Sequence, residues 1–465
     1  MSAFLIFLEA KNDGILVYPL GGFPPPLGIL YVVDLFSATM GLFITSFFLI
    51  LYLLLFFVVE DVNEYFLALY LGLEAGLLGI TYTGDLFNMF VMMEVTLISS
   101  YGLIAFSKKA NAYLATFRYV MIGGAGGLLF FAGVTLIYFA AGSLNIGQLG
   151  AVFDGISIGY VGQSAYASTA ILLYLVLLFW GLAIDEALAP FHFWLPGAYS
   201  SANPVVASLL AGIGEGVAFY ALMRISFTIV GYVPGSIMLF LVVLGVLTIL
   251  VGGVGMVYTR RLTEIVAYSV ILDAGYIAIA LSLGSPGVSV ALTYIIAHIL
   301  VKPILFLTAG WARESVGSDS LEELRGVLRV SRSLQVGFVV GAAAVIGIPP
   351  TILFVAKLQG YMIILEQVWR NVVYAGVLGV MLIGSVLALV SFIKAISVVI
   401  LSPPARSFPK PPAILNAYVI ALSIAVIMFG LLYATLIEDL VTNASNALIF
   451  GRSNYLGTVL SMTWR

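Results

Sequence analysis

Twelve ionisable side chains sit in stretches otherwise dominated by apolar residues: Glu74, Glu94, Asp185, Glu186, His192, Glu215, Asp273, His298, Lys302, Lys357, Glu366 and Lys394. Carboxyl, imidazole and ammonium groups take up and release protons, and carboxylates also hold cations. Placing a charge in the middle of a bilayer costs at least ~2.5–3.5 kcal/mol, so ionisable groups there are functional candidates by default. A spaced series of them through an apolar interior is what a proton or cation path requires; a receptor or inert scaffold needs no such series.

The spacing adds detail. His298 and Lys302 are four residues apart and share one helix face, so a proton could pass between imidazole and ammonium. Asp185 precedes Pro190 by five residues, and Lys357 follows Pro350 by seven. His192, two residues past Pro190, is placed either to bridge a helix break or to serve as an ordinary structural histidine. Glu94, Lys302 and Lys357 are each surrounded by apolar sequence and are the hardest to explain structurally. Lys394 and Glu366 have a simpler explanation near helix ends, where long side chains reach the interface. Asp273 could do no more than orient polar neighbours. Glu74, flanked by Gly72 and Gly76, suits helix packing or an inter-subunit hydrogen bond equally well.

The elements that must position these groups follow from composition. The 465 residues are 62% hydrophobic and only 9% charged, against roughly 25% charged in a soluble domain. A water-facing surface cannot be covered so sparsely, which excludes a soluble enzyme. The absence of cysteine excludes disulfides, thiolate metal sites and cysteine nucleophiles in this chain. Two histidines and a net charge of −3 without a basic run argue against a histidine-rich metal site and against nucleic acid as a partner. Apolar stretches long enough to cross a bilayer predict an all-α polytopic membrane protein of twelve helices. They are A 31–58, B 64–83, C 86–106, D 115–140, E 167–195, F 204–231, G 236–258, H 262–283, I 287–311, J 334–367, K 372–401 and L 412–436. Pro190 in E and the pair Pro349–Pro350 in J remove backbone donors and predict two broken helices. Such breaks persist at membrane depth only where protein or a wet cavity surrounds them.

Lys108, Lys109, Arg118, Arg260, Arg261, Arg313, Arg325, Arg329, Arg332, Arg406 and Lys410 fall on the side of the C–D, G–H, I–J and K–L loops; the other side has Arg370 and Arg224. Eleven against two predicts that the first set faces the cytoplasm, with both termini outside a multi-pass cell-membrane protein. The opening MSAFLIFLEAKNDG has an early acid and does not read as a secretory signal. The I–J loop, RESVGSDSLEELRGVLRVSRS, is the one charge-rich segment, either a solvated amphipathic connector or a docking surface for a cytoplasmic partner.

Six ordered motifs carry a resemblance. TGDLFNMFVMMEVTLISSYGLIAF (83–106) resembles the glutamate-bearing helix of antiporter-like proton-pumping subunits, shared by respiratory complex I, Mrp-type sodium/proton antiporters and archaeal membrane-bound hydrogenase-type and sulfane-reductase-type complexes. LAPFHFWLPGAYSSANPVVASLLAG (188–212), RRLTEIVAYSVILDAGYI (260–277), AHILVKPILFLTAG (297–310) and IGIPPTILFVAK (346–357) follow in the family's order, and YPLGGFPPPLGI (18–29) resembles the D-type branch of the Mrp subunits in particular. The resemblance implies two inverted five-helix units, each with one broken helix. It divides the chain into an N-terminal segment (1–30), a peripheral helix (31–58), the first unit (59–231), the second unit (232–401) and a C-terminal helix and tail (402–465). It implies that Glu94 faces a neighbouring subunit, that His298 and Lys302 lie on a central polar axis, and that Lys357 serves the outward exit. It also implies partners: other membrane subunits, further antiporter-like copies among them, and peripheral redox subunits if the complex is redox-driven. No cofactor is expected in this chain; iron–sulfur or metal centres would belong to partners.

The sequence departs from the family in three ways. Asp185 stands where the first broken helix has a lysine; Gly216, beside Glu215, stands where the next helix has one; and only seventeen residues precede the YPLGG motif, so the family's first two helices are expected to be missing. Neighbouring helix positions differ by about 100°, so Glu215 need not face the axis. Glu94 would then meet Asp185, like against like; both cannot ionise cheaply, so one holds a proton or a cation such as sodium lies between them. Either this first half carries ions on carboxylates, or it is blocked and the chain connects its neighbours. Two functions remain open: the membrane arm of a redox-driven complex, and a component of a standalone sodium/proton antiporter. A single-chain solute transporter would need a substrate cavity that nothing in the sequence indicates.

Overall fold

The computed structural model describes residues 2–59, 62–159, 161–162 and 167–462. A short helix α1 (Ser2–Asp13) and a two-stranded antiparallel hairpin, β1 (Leu16–Pro19) with β2 (Leu30–Val33), precede the first span. Helix A is expected from residue 31; the span α2 runs Leu35–Val58 instead, because Asp34 is extended and caps it through a reciprocal pair of bonds with Ser37. The next spans are α3 (Glu64–Tyr82), α4 (Leu86–Ala105) and α5 (Ala110–Ala141). The side chains of Asn63 and Asp85 cap α3 and α4, and α5 stops at Gly142 with a positive φ of 75°. A short buried helix, α6 (Ile146–Phe153), lies in the following connection, where the sequence predicts no element.

Helix E is broken as its proline requires. It comprises α7 (Ala167–Asp185), a 3₁₀ turn (Phe191–Trp194) and α8 (Leu195–Ser201), ending six residues later than expected. The span Pro204–Val230 is α9 (Pro204–Leu209) and α10 (Glu215–Ile225) with π turns at Leu210–Gly214 and Ser226–Val230. Then come α11 (Gly235–Tyr258), α12 (Leu262–Ser282) and α13 (Ser285–Val316), followed by the second broken helix, α14 (Arg332–Ile346) and α15 (Ile352–Val368). The last spans are α16 (Val373–Ile396), which continues as a π turn to Leu401, and α17 (Ala413–Leu431). The predicted tail holds two further helices, α18 (Glu438–Ile449) and α19 (Arg452–Ser461); residues 463–465 lie outside the described residues.

Eleven helices among the described residues are long and apolar enough to cross a membrane, α7 of the first broken span among them, and the broken α14–α15 makes the twelfth crossing. Between α2 and α17 stand two sets of five spans, each with its fourth span broken. Five crossings are odd, so the second set enters from the opposite side and the two are inverted. Helices α9–α10, α12 and α13 are 94% buried over their apolar windows, against 28–44% for most of the other spans, so these three form the interior. The charge-rich I–J loop is tied down rather than free. The Asp319 carboxylate accepts from the Thr263 backbone N–H (3.0 Å) and hydroxyl (2.5 Å), capping α12, while Leu324, Val327 and Leu328 are buried.

Candidate functional site

Both broken spans end their first half with one backbone motif. In α7 the N–H of Ala187 reaches the Ile184 carbonyl and that of Leu188 reaches Ala183; in α14 Gly347 reaches Ala344 and Ile348 reaches Ala343. These are Schellman closures, which turn the chain through one left-handed residue. That residue is Ala187 (φ 50°) in the first break and Gly347 (φ 91°) in the second, and each lies three residues before a proline, Pro190 and Pro350. A proline four residues on from Val345, Pro349, has no N–H to give its carbonyl. The Lys357 ammonium fills that place, donating to the Val345 carbonyl oxygen at 2.5 Å.

In the second unit the site is built around one carboxylate. Asp273 of α12 is fully buried, and its Oδ2 accepts from Lys302 Nζ of α13 at 2.6 Å. Lys302 also donates to the Ser269 carbonyl (3.1 Å) and hydroxyl (3.2 Å), one turn before Asp273. His298 Nε2, on the same face of α13, stands 3.4 Å from the same Oδ2, at the edge of hydrogen-bonding range. The third base is Lys357 of α15, 4.0 Å from Asp273 Oδ1, an oxygen that accepts no hydrogen bond among the described residues. Lys357 lies 4.4 Å over the Tyr276 ring and 3.4 Å from Ser385 Oγ, which in turn meets the Tyr276 and Tyr361 hydroxyls at 3.1 and 2.9 Å. One carboxylate thus gathers two ammonium groups and an imidazole, and Lys357 stands between two acceptors, the freed Val345 carbonyl and Asp273 Oδ1.

The first unit has carboxylates without a buried ammonium. Glu94 of α4 lies against the backbone of α5, so close that a side chain at Gly127 would meet its Oε1 at 2.3 Å. Asp185, the last residue of α7, is within electrostatic reach of Glu94, and the Tyr101 hydroxyl is within reach of both. Tyr101 is seven residues after Glu94 and hence on its face of α4. Glu186 and Glu215 are 1% and 5% exposed; the Phe219 backbone N–H is directed at Glu186 and the Tyr199 hydroxyl at Glu215, but among the described residues none of the four carboxylate oxygens has a partner at full hydrogen-bond geometry. They interact with each other, and Glu215 also with Lys302, Asp273, Asp185 and Tyr199. His192 is buried in the break beside Phe193, its Nδ1 without a partner among the described residues.

Glu215 faces the axis because of the π turn at Leu210–Gly214 immediately before it. A π turn holds one residue more than an α turn and delays the helical phase by about one position. Glu215 therefore points along the interior, and Gly216 packs against Ile295. Sequence spacing alone carries no such phase shift.

The remaining candidates fall outside this line. Lys394 donates to the Val257 and Thr259 carbonyls (2.7 and 2.8 Å), closing the C-terminal end of α11. Glu366 is exposed near the end of α15, and Glu74 is partly buried on α3. Arg224 needs a correction: read as a loop charge, it is 2% exposed within α10 and forms a bidentate pair with Asp34 (2.6 and 2.8 Å). Burial pushes the Asp34 carboxyl up, and the Arg224 guanidinium more than reverses this, leaving it below its ordinary value. Sequence reading passes over Asp34, Tyr101 and Tyr199, and ranks Asp273 among the minor candidates. The one signal available for Asp273 is its isolation in a run that is apolar on every side.

The transmembrane family described as NADH:quinone oxidoreductase/Mrp antiporter matches residues 83–388. The D-type component of the Na(+)/H(+) antiporter of Alkalihalophilus pseudofirmus is 32% identical over 75% of this chain and 70% of its own. The N-type component of the NADH-quinone oxidoreductase of Desulforudis audaxviator is 31% identical over 92% and 87%. Among solved structures, a chain of the membrane-bound sulfane sulfur reductase, an archaeal respiratory membrane complex, superposes with a TM-score of 0.86 at 28% identity, covering 98% of this chain and 91% of that one. With the match spanning more than half its length, this chain belongs to the NADH:quinone oxidoreductase/Mrp antiporter transmembrane family.

Proposed function

We propose that this chain is an ion-translocating subunit in the membrane arm of a redox-driven complex. It would move protons along the line Glu94, Asp185, Glu186 and Glu215, Lys302 with Asp273 and His298, and Lys357. The observation that carries the reading is that the three most buried spans hold Glu215, Asp273, His298 and Lys302 in mutual contact or electrostatic reach. Burying such groups is expensive, and nothing about packing alone calls for a series of them. Lys357, with its two acceptors, is suited to hand a proton between Asp273 and the wet side of the break. His192 would serve the first break in the same way. Between Glu94 and Asp185 a shared proton is taken ahead of sodium, since two carboxyls in electrostatic reach of each other cannot both ionise cheaply and one proton relieves them. Redox centres would lie in partner subunits, and the basic loops would face the cytoplasm with both termini outside.

A second reading is supported by the Na(+)/H(+) antiporter relative: a gradient-driven antiporter in which this chain is the D-type component. Purification in mild detergent separates the two. Iron–sulfur or hydrogenase-like partners mean the first; small antiporter subunits alone mean the second. The path itself is tested by ion flux in proteoliposomes of the assembled complex. Asp185→Asn and Glu94→Gln should each lower flux at least tenfold; unchanged flux in both would leave the first unit as a connector. Protection of Asp185 from carbodiimide by sodium would restore sodium as the carried ion.

A further inference from the structure

A cavity of about 540 Å³ lies at the basic face, and no residue of the buried line borders it. It is bounded by the ends of α2 and α4, the start of α5, the α8–α9 junction, the start of α12 and the end of α13. Lys108, Lys109, Arg261 and Arg313 line it against two carboxylates, Glu314 and Asp319, so its wall has two positive charges in excess. The arginines are held in place: Arg313 donates to the Ser200 and Ala202 carbonyls, and Arg261 pairs with Glu264 at 2.9 Å and Asp319 at 3.4 Å. Arg313 Nε is buried and has no partner among the described residues, and neither has Ser107 Oγ, which also lines the cavity. The first turn of the 32-residue helix α5 opens on the same space through Asn111, adding the positive end of its dipole.

The cavity also has apolar lining. Val58, Val59 and Phe66, from the adjoining ends of α2 and α3, line it, and the neighbouring Phe56 and Phe57 are 54% and 60% exposed on the span itself. A ligand here would meet cations and donors on one side and the bilayer boundary on the other. Basic pockets between spans at this depth suit phospholipid headgroups. We propose that this cavity binds a phosphate-bearing anion, and that the anion is the headgroup of an anionic phospholipid whose chains run down α2 and α3. Such a lipid would fasten the α4–α5 loop to the α8–α9 junction and the I–J loop.

The test uses the whole complex, purified in mild detergent and stripped of lipid. Phosphatidylglycerol, phosphatidylcholine and inorganic phosphate are titrated separately, with binding followed by native mass spectrometry and thermal unfolding. The substitution target is the lysine pair, because the arginines also hold backbone. Phosphatidylglycerol should bind well ahead of phosphatidylcholine, and Lys108→Gln with Lys109→Gln should weaken it about thirty-fold; because Lys108 also lies over the Phe106 ring, Lys109→Gln alone is the stability control, weakening binding about fivefold while leaving unfolding of the lipid-free complex unchanged. Inorganic phosphate binding as well as phosphatidylglycerol, and lost in the same double variant, would support the anion site and assign it to soluble phosphate. Equal binding of the two lipids, or a double variant that binds phosphatidylglycerol like the parent, would overturn the proposal.

Discussion

The two broken spans use the same backbone and opposite charges. Each closes its first half through a Schellman turn three residues before a proline, with the left-handed residue at Ala187 in one and Gly347 in the other. Ten residues beyond that point the second break has Lys357, whose ammonium takes the freed carbonyl of Val345. The corresponding residue of the first break is Gly197, and the position matching Val345 is Asp185. One unit therefore stations a cation at its break and balances it with Asp273. The other stations a carboxylate, with further carboxylates at Glu94, Glu186 and Glu215. The geometry of a break is thus independent of the sign of the charge it presents; what changes is which protonation state is cheap to bury.

That difference can be broken most forcefully at Asp273. Asp273→Asn leaves Lys302 and Lys357 buried without a counter-charge, and removing one partner of a buried pair costs about 3–5 kcal/mol. The variant should unfold at markedly lower temperature in the purified complex and lose ion flux. Adding Lys302→Met should recover a large part of the stability and none of the flux, since the cost lies in the unpaired charge. If Asp273→Asn unfolds like the parent, the cluster is not the electrostatic centre its geometry implies.

The matching change in the first unit should behave differently. Asp185→Asn swaps one neutral hydrogen-bonding side chain for another if the carboxyl already carries a proton. Stability should then shift by less than about 1 kcal/mol, while flux falls as stated above. A loss as large as that of Asp273→Asn would mean that Asp185 is charged and paired, and the contrast between the units would fail. Glu215→Gln is intermediate. It removes an ionisable group in reach of Lys302 but strands no cation, because Lys302 retains Asp273 and Ser269. Flux should drop by about tenfold, a barrier increase of roughly 1.4 kcal/mol, with unfolding nearly unchanged.

Much of this is legible in the residues. Span length and apolar content place the twelve crossings, and proline positions place both breaks, because both signals act locally. The pairing of His298 with Lys302 follows from a four-residue spacing. What the sequence conceals is relational. Asp273 is a single acid in an apolar run until α13 and α15 bring three bases to it. Glu215 faces inward only because a π turn shifts the phase, and the glycine-rich LAGIG reads as ordinary helix. Arg224 looks like a loop charge because its partner, Asp34, is 190 residues away.

The smallest effect tests the turn itself. At φ 50° Ala187 carries a left-handed penalty that Gly347 avoids, on the order of 1 kcal/mol. Ala187→Gly should therefore stabilise the complex, though by somewhat less than that, since glycine also adds freedom to the unfolded chain. Gly347→Ala should destabilise it by about 1 kcal/mol or more, because the new methyl also meets Lys357 Cδ at 3.0 Å. Opposite signs in thermal unfolding would show that both breaks rest on one turn. Flux then separates strain from function: only Gly347→Ala presses on a residue of the line, so only it should slow transport. If Ala187→Gly slowed transport too, the strained turn at the first break would itself be needed to aim Asp185 and Glu186, and the acidic unit would depend on its backbone in a way the basic unit does not.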